Sequence, residues 1–463
     1  MSPSAVYALI VLFAINLMNF FDRQIIGGVG EGIRREWGLS DTALGLLGTV
    51  FTLLYAVFGL PLGRLSDKNE RRKILSGGVF VWSLLTAASG MARNFGQLIV
   101  ARLGVGVGEA TCSPASTSLI GDLFPMSWRG RAMAVWMLGL PLGLGFANGA
   151  GGWIAQNWGW RNAFYFAAIP GILCAIAAMF VREPPRGTLE AHAIGDRRRD
   201  GNPFMLVMSI PTMWWVIASG ALHNFNMYAL GAFLAPFLIR YHHMSVVGAG
   251  WTAAAVYGFS GILGLVAGGA LADRLSKTRI DGRLVVGCGS IVICAPLMVL
   301  GLMRPRGDIW AFALLMGTGC GVMYGYYSTV YSTIHDVVEP SLRGTAMALY
   351  FCAMYLLGAS LGPVGTGLVS DYFTFQQASV AGAVQPLPFG SLIFAELRSL
   401  VGESKGFNVR ALEPFRADGL HTAMFVVPIL AALLAVVLFA ASRTVTKDVE
   451  SLRRWMKAQK YEV

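Results

Sequence analysis

Charge is what this chain has least of: only 13% of its 463 residues are Asp, Glu, Lys or Arg, against about 25% in soluble domains. A water-soluble fold is therefore excluded as the parsimonious reading. Cysteine is sparse, and its six copies (Cys112, Cys174, Cys288, Cys294, Cys320, Cys352) all lie in apolar runs. Neither a disulfide framework nor a metal-ligand spacing is present, so no metal is expected. No Walker motif occurs, which removes direct ATP drive. The short Gly-x-Gly stretches follow no strand, so no nucleotide cofactor is expected. The short alternating segments of a membrane β-barrel are missing as well. The first apolar run lacks a basic leader and contains Asp22-Arg23, so it is not expected to be a cleaved signal. No nucleophile, base and orienting group recur together, so the chain is not expected to be an enzyme.

Long apolar runs are abundant. Mean hydropathy is +0.59, and hydropathy places about twelve spans along the chain. They cover 6–30, 41–62, 74–92, 97–121, 131–155 and 162–181, then 211–239, 247–271, 284–303, 308–335, 343–372 and 420–441. The expected fold is an all-α polytopic membrane protein of two six-helix bundles, 1–181 and 207–441, joined by a polar cytoplasmic linker at 182–206. A long extracytoplasmic segment is expected at 373–419, lying partly on the membrane surface. An amphipathic tail at 442–463, with Val449, Leu452 and Trp455 at helical spacing, is expected on the anionic inner leaflet. With both termini in the cytoplasm, roughly 23 Lys/Arg fall inside and about 11 outside, as the positive-inside rule requires. The net charge of +11 thus reports topology, and no nucleic-acid partner is expected. A bacterial inner membrane, and a monomer, are the expected setting.

Four ionisable residues break the apolar runs. Asp22 and Arg23 interrupt Val6–Gly30, and Arg102 and Glu109 interrupt Leu98–Ile120. A charge near the bilayer centre costs at least ~2.5 kcal/mol and usually marks function. Arg102 and Glu109 are two helical turns apart, so on one continuous helix they share a face about 10 Å apart. A carboxylate in a low-dielectric site favours its neutral form and a nearby arginine favours the charged one, a competition suited to proton coupling. Asp22, Glu109 and Arg102 are the expected coupling trio. Arg102 cannot release its proton, so it serves as counter-ion or anchors an anionic substrate. A static salt bridge ordering the bundle is the plainer alternative. For Arg23, snorkelling to the interface competes with substrate binding.

The halves repeat. Gly63-Arg64-Leu65-Ser66-Asp67-Lys68 is matched by Gly269-Ala270-Leu271-Ala272-Asp273-Arg274. The stretch from Asp122 through Arg129-Gly130 is matched by that from Asp336 through Arg343-Gly344. Two matching loops at nearly equal offsets indicate duplicated halves, an organisation of transporters that bind substrate between repeats. On Gly63-x-Leu65-x-Asp67-Lys68-x-x-Arg71-Arg72-Lys73, the chain resembles the major facilitator superfamily over nearly its whole length. On Asn16–Arg23, Arg102–Ala110 and Gly121-Asp122-Leu123-Phe124, it resembles the spinster-type lipid transporters within that superfamily. Resemblance implies a gating set of Gly63, Asp67, Arg71, Asp273, Arg129 and Arg343, with Asp67 capping the start of the eleventh span near Arg343-Gly344. Arg71, Arg72 and Lys73 read individually as topology charges.

Aligning the repeats places Val322 opposite Glu109 and Met227 opposite Asp22, so the second half presents neutral and aromatic groups. Those expected to contact substrate are His223, Asn224, Asn226, Tyr228, Tyr324, Tyr327, Ser328, Tyr331, Phe351 and Tyr355, together with Arg23, Arg102 and Glu109. For any one aromatic alone, helix packing is the simpler account. The combined expectation is a proton-coupled carrier of an anionic amphiphile, such as a lysophospholipid or sphingoid-phosphate-like lipid, by alternating access, with protons and membrane lipids as its other partners. A carrier of a small organic anion or drug is the alternative within the fold, and a non-transporting membrane sensor the alternative outside it.

Overall fold

The computed structural model describes residues 3–184, 201–339, 342–385, 388, 390, 391, 393 and 409–458. The expected linker and the expected long extracytoplasmic segment fall partly outside these residues. Among the described residues there are helices and no strands, as lipid demands of a chain whose backbone must satisfy its own hydrogen bonds. In chain order they are α1 (Pro3–Trp37), α2 (Asp41–Lys68), α3 (Arg71–Gly90), α4 (Phe95–Glu109), α5 (Cys112–Leu123), α6 (Met126–Met137), α7 (Gly139–Trp158) and α8 (Trp160–Met179). There follow α9 (Pro203–Met208), α10 (Pro211–Arg240), α11 (Val246–Ala253), α12 (Ser260–Ser276), α13 (Gly282–Leu302) and α14 (Ile309–Val337). The last are α15 (Arg343–Ala353), α16 (Leu361–Val380), α17 (Val409–Leu412), α18 (Arg416–Met424) and α19 (Val426–Ala458). One π-helical segment, Ala254–Phe259, joins α11 to α12, and another, Met354–Ala359, precedes α16.

Eleven helical stretches among the described residues are long and apolar enough to cross a membrane. The expected span 97–121 is the exception, because it is broken at Ala110-Thr111 into α4 and α5. Pro114 supplies the reason: it has no N–H for the carbonyl of residue 110, and its ring crowds that position. The chain closes the break with tighter bonds, Ala110 N to Val107 O and Thr111 N to Gly108 O, both 3.3 Å. Two of the helices that build the site start on polar caps, Ser40 before α2 and Asn94 before α4. Gly38, between α1 and α2, and Gly159, between α7 and α8, take positive φ of 63° and 84°, which a side chain would oppose.

The chain clusters into two compact units. The first comprises Met1–Ala193, Tyr228–Gly258 and Ser360–Met424, and the second Ile194–Met227, Phe259–Ala359 and Phe425–Val463. In the first unit a core of Leu12, Leu75, Trp82, Val105, Leu119, Phe124 and Trp136 holds α1 and α3–α6 together. Gly139 and Gly143 let α7 approach α1, where an added Cβ would lie 2.8 Å from Leu17 N and 2.5 Å from Leu17 O. Beyond α16 the described chain packs back on it, Leu412 and Phe415 against Phe375 and Ala378.

In the second unit Gly264-x-x-x-Gly268 of α12 meets Gly321-x-x-x-Gly325 of α14. A Cβ on Gly264 would stand 1.6 Å from Gly321 O, and one on Gly268 2.6 Å from Gly325 Cα. Facing pairs of small residues are how membrane helices bring backbones together. The tail departs from expectation, for α19 runs without a break into it. Val449 and Leu452 are buried, and Asp448 Oδ2 accepts from Thr212 N at 2.9 Å. The tail's apolar stripe is thus covered by protein at those positions instead of by lipid.

The duplicated loops fold alike. At the start of α3, Arg71 pairs with Asp122, and at the start of α13, Arg283 pairs with Asp336. Arg129 Nη2 donates to Gly121 O at 2.6 Å and Arg343 Nη2 to His335 O at 2.9 Å, each reaching eight residues back. Both arginines hold carbonyls near a helix C-terminus, where a cation is favoured.

Candidate functional site

The first unit buries all four charges singled out in the apolar runs: Asp22, Arg102 and Glu109 are 0% exposed and Arg23 is 6% exposed. Helix α4 reaches them because Gly106 lets it lie on α2; a Cβ there would stand 2.5 Å from Phe51 O. One turn earlier, the Arg102 guanidinium lies over the Phe51 ring at 4.9 Å. Its Nη2 donates to the main-chain oxygen of Asp22 at 3.0 Å.

The pairing differs from the expected one. Glu109 is held by Asn19 Nδ2, which donates to Oε2 at 2.9 Å, and by Arg23, whose Nη2 is 3.5 Å away. Arg23 also donates to Asn19 Oδ1 at 3.1 Å and to the Tyr228 hydroxyl at 3.2 Å. The rings of Phe20, Phe51 and Tyr55 lie 5.1, 5.4 and 4.2 Å from its guanidinium. Arg23 therefore turns inward to a carboxylate and an aromatic cage instead of snorkelling. Arg102, placed two turns from Glu109, makes no ion pair within 4 Å to either carboxylate among the described residues.

Asp22 is left open. Among the described residues neither of its carboxyl oxygens has a hydrogen-bond partner, nor do Arg102 Nε and Nη1 or Glu109 Oε1. Trp82 and Thr86 of α3 face Asp22 without completing hydrogen bonds. Two arginines and two carboxylates balance when all are ionised, and protonating either acid leaves one positive charge in a dry site. Such an isolated buried charge is strongly disfavoured.

The second unit gathers an aromatic cluster. His223 stacks on Tyr326 with ring centroids 3.9 Å apart and meets Tyr327 edge-on at 4.7 Å. The Tyr326 hydroxyl bonds Ser219 Oγ at 2.8 Å and the Tyr350 hydroxyl at 3.0 Å. Tyr331 continues the cluster to Tyr350 and Phe351 at 5.7 and 5.6 Å. Among the described residues both ring nitrogens of His223 and both amide atoms of Asn226 lack partners. Other expected contacts do packing work: Asn224 Nδ2 bonds Gly220 O, Ser328 Oγ bonds Leu265 O, and Tyr324 is buried against Gly261. Tyr355 is half-buried in the π segment, whereas Tyr228 belongs with Arg23. Tyr326 and Tyr350 were missed by the repeat alignment, although they share helices with the residues it found.

Of the expected gating residues, the Asp67 side chain lies outside the described residues. Arg71 is no mere topology charge. It is 1% exposed, and besides Asp122 it bonds Glu183 Oε1 at 2.8 Å and Ser118 Oγ at 2.9 Å. Placed at the first turn of α3, it points between the end of α5 and the chain leaving α8. Arg72 and Lys73 pair with Glu70 at the exposed surface. Among the described residues Gly63 has Pro114 nearby, 3.8 Å from an added Cβ. Asp273 is exposed, with Arg283 at 3.8 Å.

A further set of buried charges escaped the sequence reading: Glu31, Arg34, Asp41, Arg240, Asp371 and Arg416. They stand at the ends of apolar runs, where charges pass for interfacial flanks.

Comparison with known proteins places these features in context. The sequence model of the Major Facilitator Superfamily matches residues 12–363. Human protein spinster homolog 1 is 31% identical over 399 residues, covering 78% of this chain and 72% of that protein. A probable L-galactonate transporter of Escherichia coli is 28% identical over 380 residues, covering 79% and 83%. The crystal structure of a bacterial homologue of the human lysosomal transporter spinster, inward-facing and unoccupied, superposes with a TM-score of 0.81 at 28% identity, covering 97% of this chain and 99% of that one.

Proposed function

The chain belongs to the major facilitator superfamily, is a spinster-type transporter within it and not an enzyme, and we propose that it moves an anionic amphiphile by proton-coupled alternating access. The observation that carries this reading is the buried Asp22 carboxylate, without a hydrogen-bond partner among the described residues, beside an Arg102 with two unsatisfied nitrogens. Protonation of Asp22 or Glu109 leaves the cluster with one net positive charge, which an anionic head group neutralises at Arg102. Proton release restores the internal balance and weakens the hold on the anion. Coupling then follows from the cost of leaving a charge unpaired in a dry site. The aromatic cluster around His223, taken within the second unit alone, offers a surface suited to apolar groups. Membrane lipids supply or receive such a substrate, and a bacterial inner membrane with cytoplasmic termini remains part of the proposal.

The test is uptake by proteoliposomes of a panel of lysolipids, sphingoid phosphates and small sugar acids, with and without an imposed pH gradient. Asp22→Asn and Glu109→Gln are expected to lower gradient-driven uptake at least about a hundredfold while leaving substrate-induced thermal stabilisation measurable. Wild-type accumulation by both variants would refute the coupling assignment. A second reading, a carrier of small organic anions, is favoured by the similarity to the probable L-galactonate transporter. Uptake of sugar acids and of no lysolipid would select it. Stabilisation by a ligand with no flux would instead indicate a sensor.

A further inference from the structure

A surface cleft of about 510 Å³ lies in the first unit, where the start of α3 runs beside the end of α8. Its walls include Arg72, Lys73, Gly77 and Phe80 of α3 and Ile176 and Met179 of α8. Gly77 contributes no side chain to it, and a Cβ placed there would meet no atom within 4 Å. One residue earlier, Ser76 Oγ donates to Ala175 O at 2.7 Å and ties the two helices together. Arg71 at the head of α3 bonds Glu183 beyond the end of α8, so the helices run antiparallel along the cleft.

The cleft is charged at one end and apolar along its length. Arg72 and Lys73 stand in the first turn of α3, and Phe80 lies two turns further, about 12 Å along the axis. Phe80, Ile176 and Met179 are exposed. Glu70 accepts from Arg72 Nε and Nη2, both at 3.1 Å, and from Lys73 Nζ at 2.9 Å. Arg71 is engaged by Asp122 and Glu183. Among the described residues, two cations at the head of the cleft therefore share one carboxylate, which leaves a surplus positive charge. Ion pairs at an exposed surface hold weakly, so an incoming anion can take over either cation. The duplicated loop does not require these cations. Where Arg72 and Lys73 follow Arg71, Leu284 and Val285 follow Arg283, although Arg71 and Arg283 make matching pairs with Asp122 and Asp336.

We propose that this cleft binds an anionic glycerophospholipid of the surrounding bilayer, its phosphate at Arg72 and Lys73 and one acyl chain along Gly77, Phe80 and Ile176. An apolar wall alone would accept any lipid, but basic side chains at its head favour a net negative head group. A soluble anion would use the cations and gain nothing from the wall. An apolar helix of another protein would fill the groove and leave the surplus charge uncompensated. The topology expected from the basic residues puts the cleft in the inner leaflet, where anionic lipid attracts such side chains. The site needs only a bilayer around the chain, so it stands or falls apart from the transport reading.

Native mass spectrometry tests it on the delipidated full chain in neutral detergent, titrated with dioleoyl phosphatidylglycerol or dioleoyl phosphatidylcholine. The parent is expected to hold phosphatidylglycerol at least about fivefold more tightly, the factor that one basic residue near an anionic head supplies. Arg72→Gln combined with Lys73→Gln is expected to remove that preference. Gly77→Leu keeps both charges and places its side chain in open space, and it is expected to weaken phosphatidylglycerol about as much. Arg274→Gln combined with Lys277→Gln, an equal charge loss at exposed positions of the second half, is expected to leave the preference intact. An unchanged preference without Arg72 and Lys73, or an equal loss without Arg274 and Lys277, would overturn the site. Parent-like binding by Gly77→Leu would overturn the cleft as the place of binding. Thermal stabilisation by inorganic phosphate equal to that by phosphatidylglycerol would overturn the lipid as its occupant.

Discussion

Arg23 shows how far a single residue's role depends on its neighbours in space. Its composition and position allow an interfacial charge, yet it is the arginine that meets Glu109, 86 positions away. A double-mutant cycle over Arg23 and Glu109, using Arg23→Gln and Glu109→Gln, should yield a coupling of about 1–3 kcal/mol. The corresponding cycle over Arg102 and Glu109 should give clearly less, because no ion pair within 4 Å joins them. Thermal melting of the four variants in each cycle makes the comparison, and equal couplings would count against the observed pairing. Asp22 and Glu109 were legible as costly charges in an apolar setting. That Asp22 is left open while Glu109 is clamped was not, because successive helix positions point about 100° apart and only the packed register of α4 on α1 selects the partner.

Helices carry their own signals and their own gaps. The break after Glu109 was visible in principle through Pro114, but hydropathy averages over a long window and reads 97–121 as one apolar run. The break falls just after Glu109, so Arg102 and Glu109 stay two turns apart on α4 and only the chain beyond them is redirected. The facing glycine pairs of α12 and α14 offer a test of packing. Gly268→Leu must displace Gly325 and is expected to cost about 1–3 kcal/mol of stability, seen as a lower melting temperature in detergent. Gly289→Leu, where no atom lies within 4 Å of an added Cβ, should melt like the parent. Equal losses in the two variants would argue against close contact at the α12–α14 crossing. The tail gives the opposite lesson, since its amphipathic stripe was legible but its partner was not. A stripe at helical spacing fits a lipid surface and a protein groove equally well, and Asp448 bonding Thr212 decides for the groove.

Across the whole molecule, the distribution of basic residues predicts cytoplasmic termini. A fluorescent protein fused to the C-terminus should therefore mature and emit in bacterial cells, and a periplasmic phosphatase at the same point should be inactive; the reverse pattern would invert the topology. The compact units do not follow chain order, for α10 changes unit between Met227 and Tyr228 and the second half supplies Arg240, Asp371 and Arg416 to the first unit. Hydropathy, loop repeats and the signature motif are local or periodic properties, so the chain alone specified a duplicated helical membrane protein, its superfamily and the buried trio. Which arginine answers which carboxylate, where the fourth span breaks and how Asp371 accepts from the first amides of α2 are matters of contact. They join residues up to 379 positions apart, and they follow from helix rotation and close glycine crossings that no one-dimensional pattern encodes.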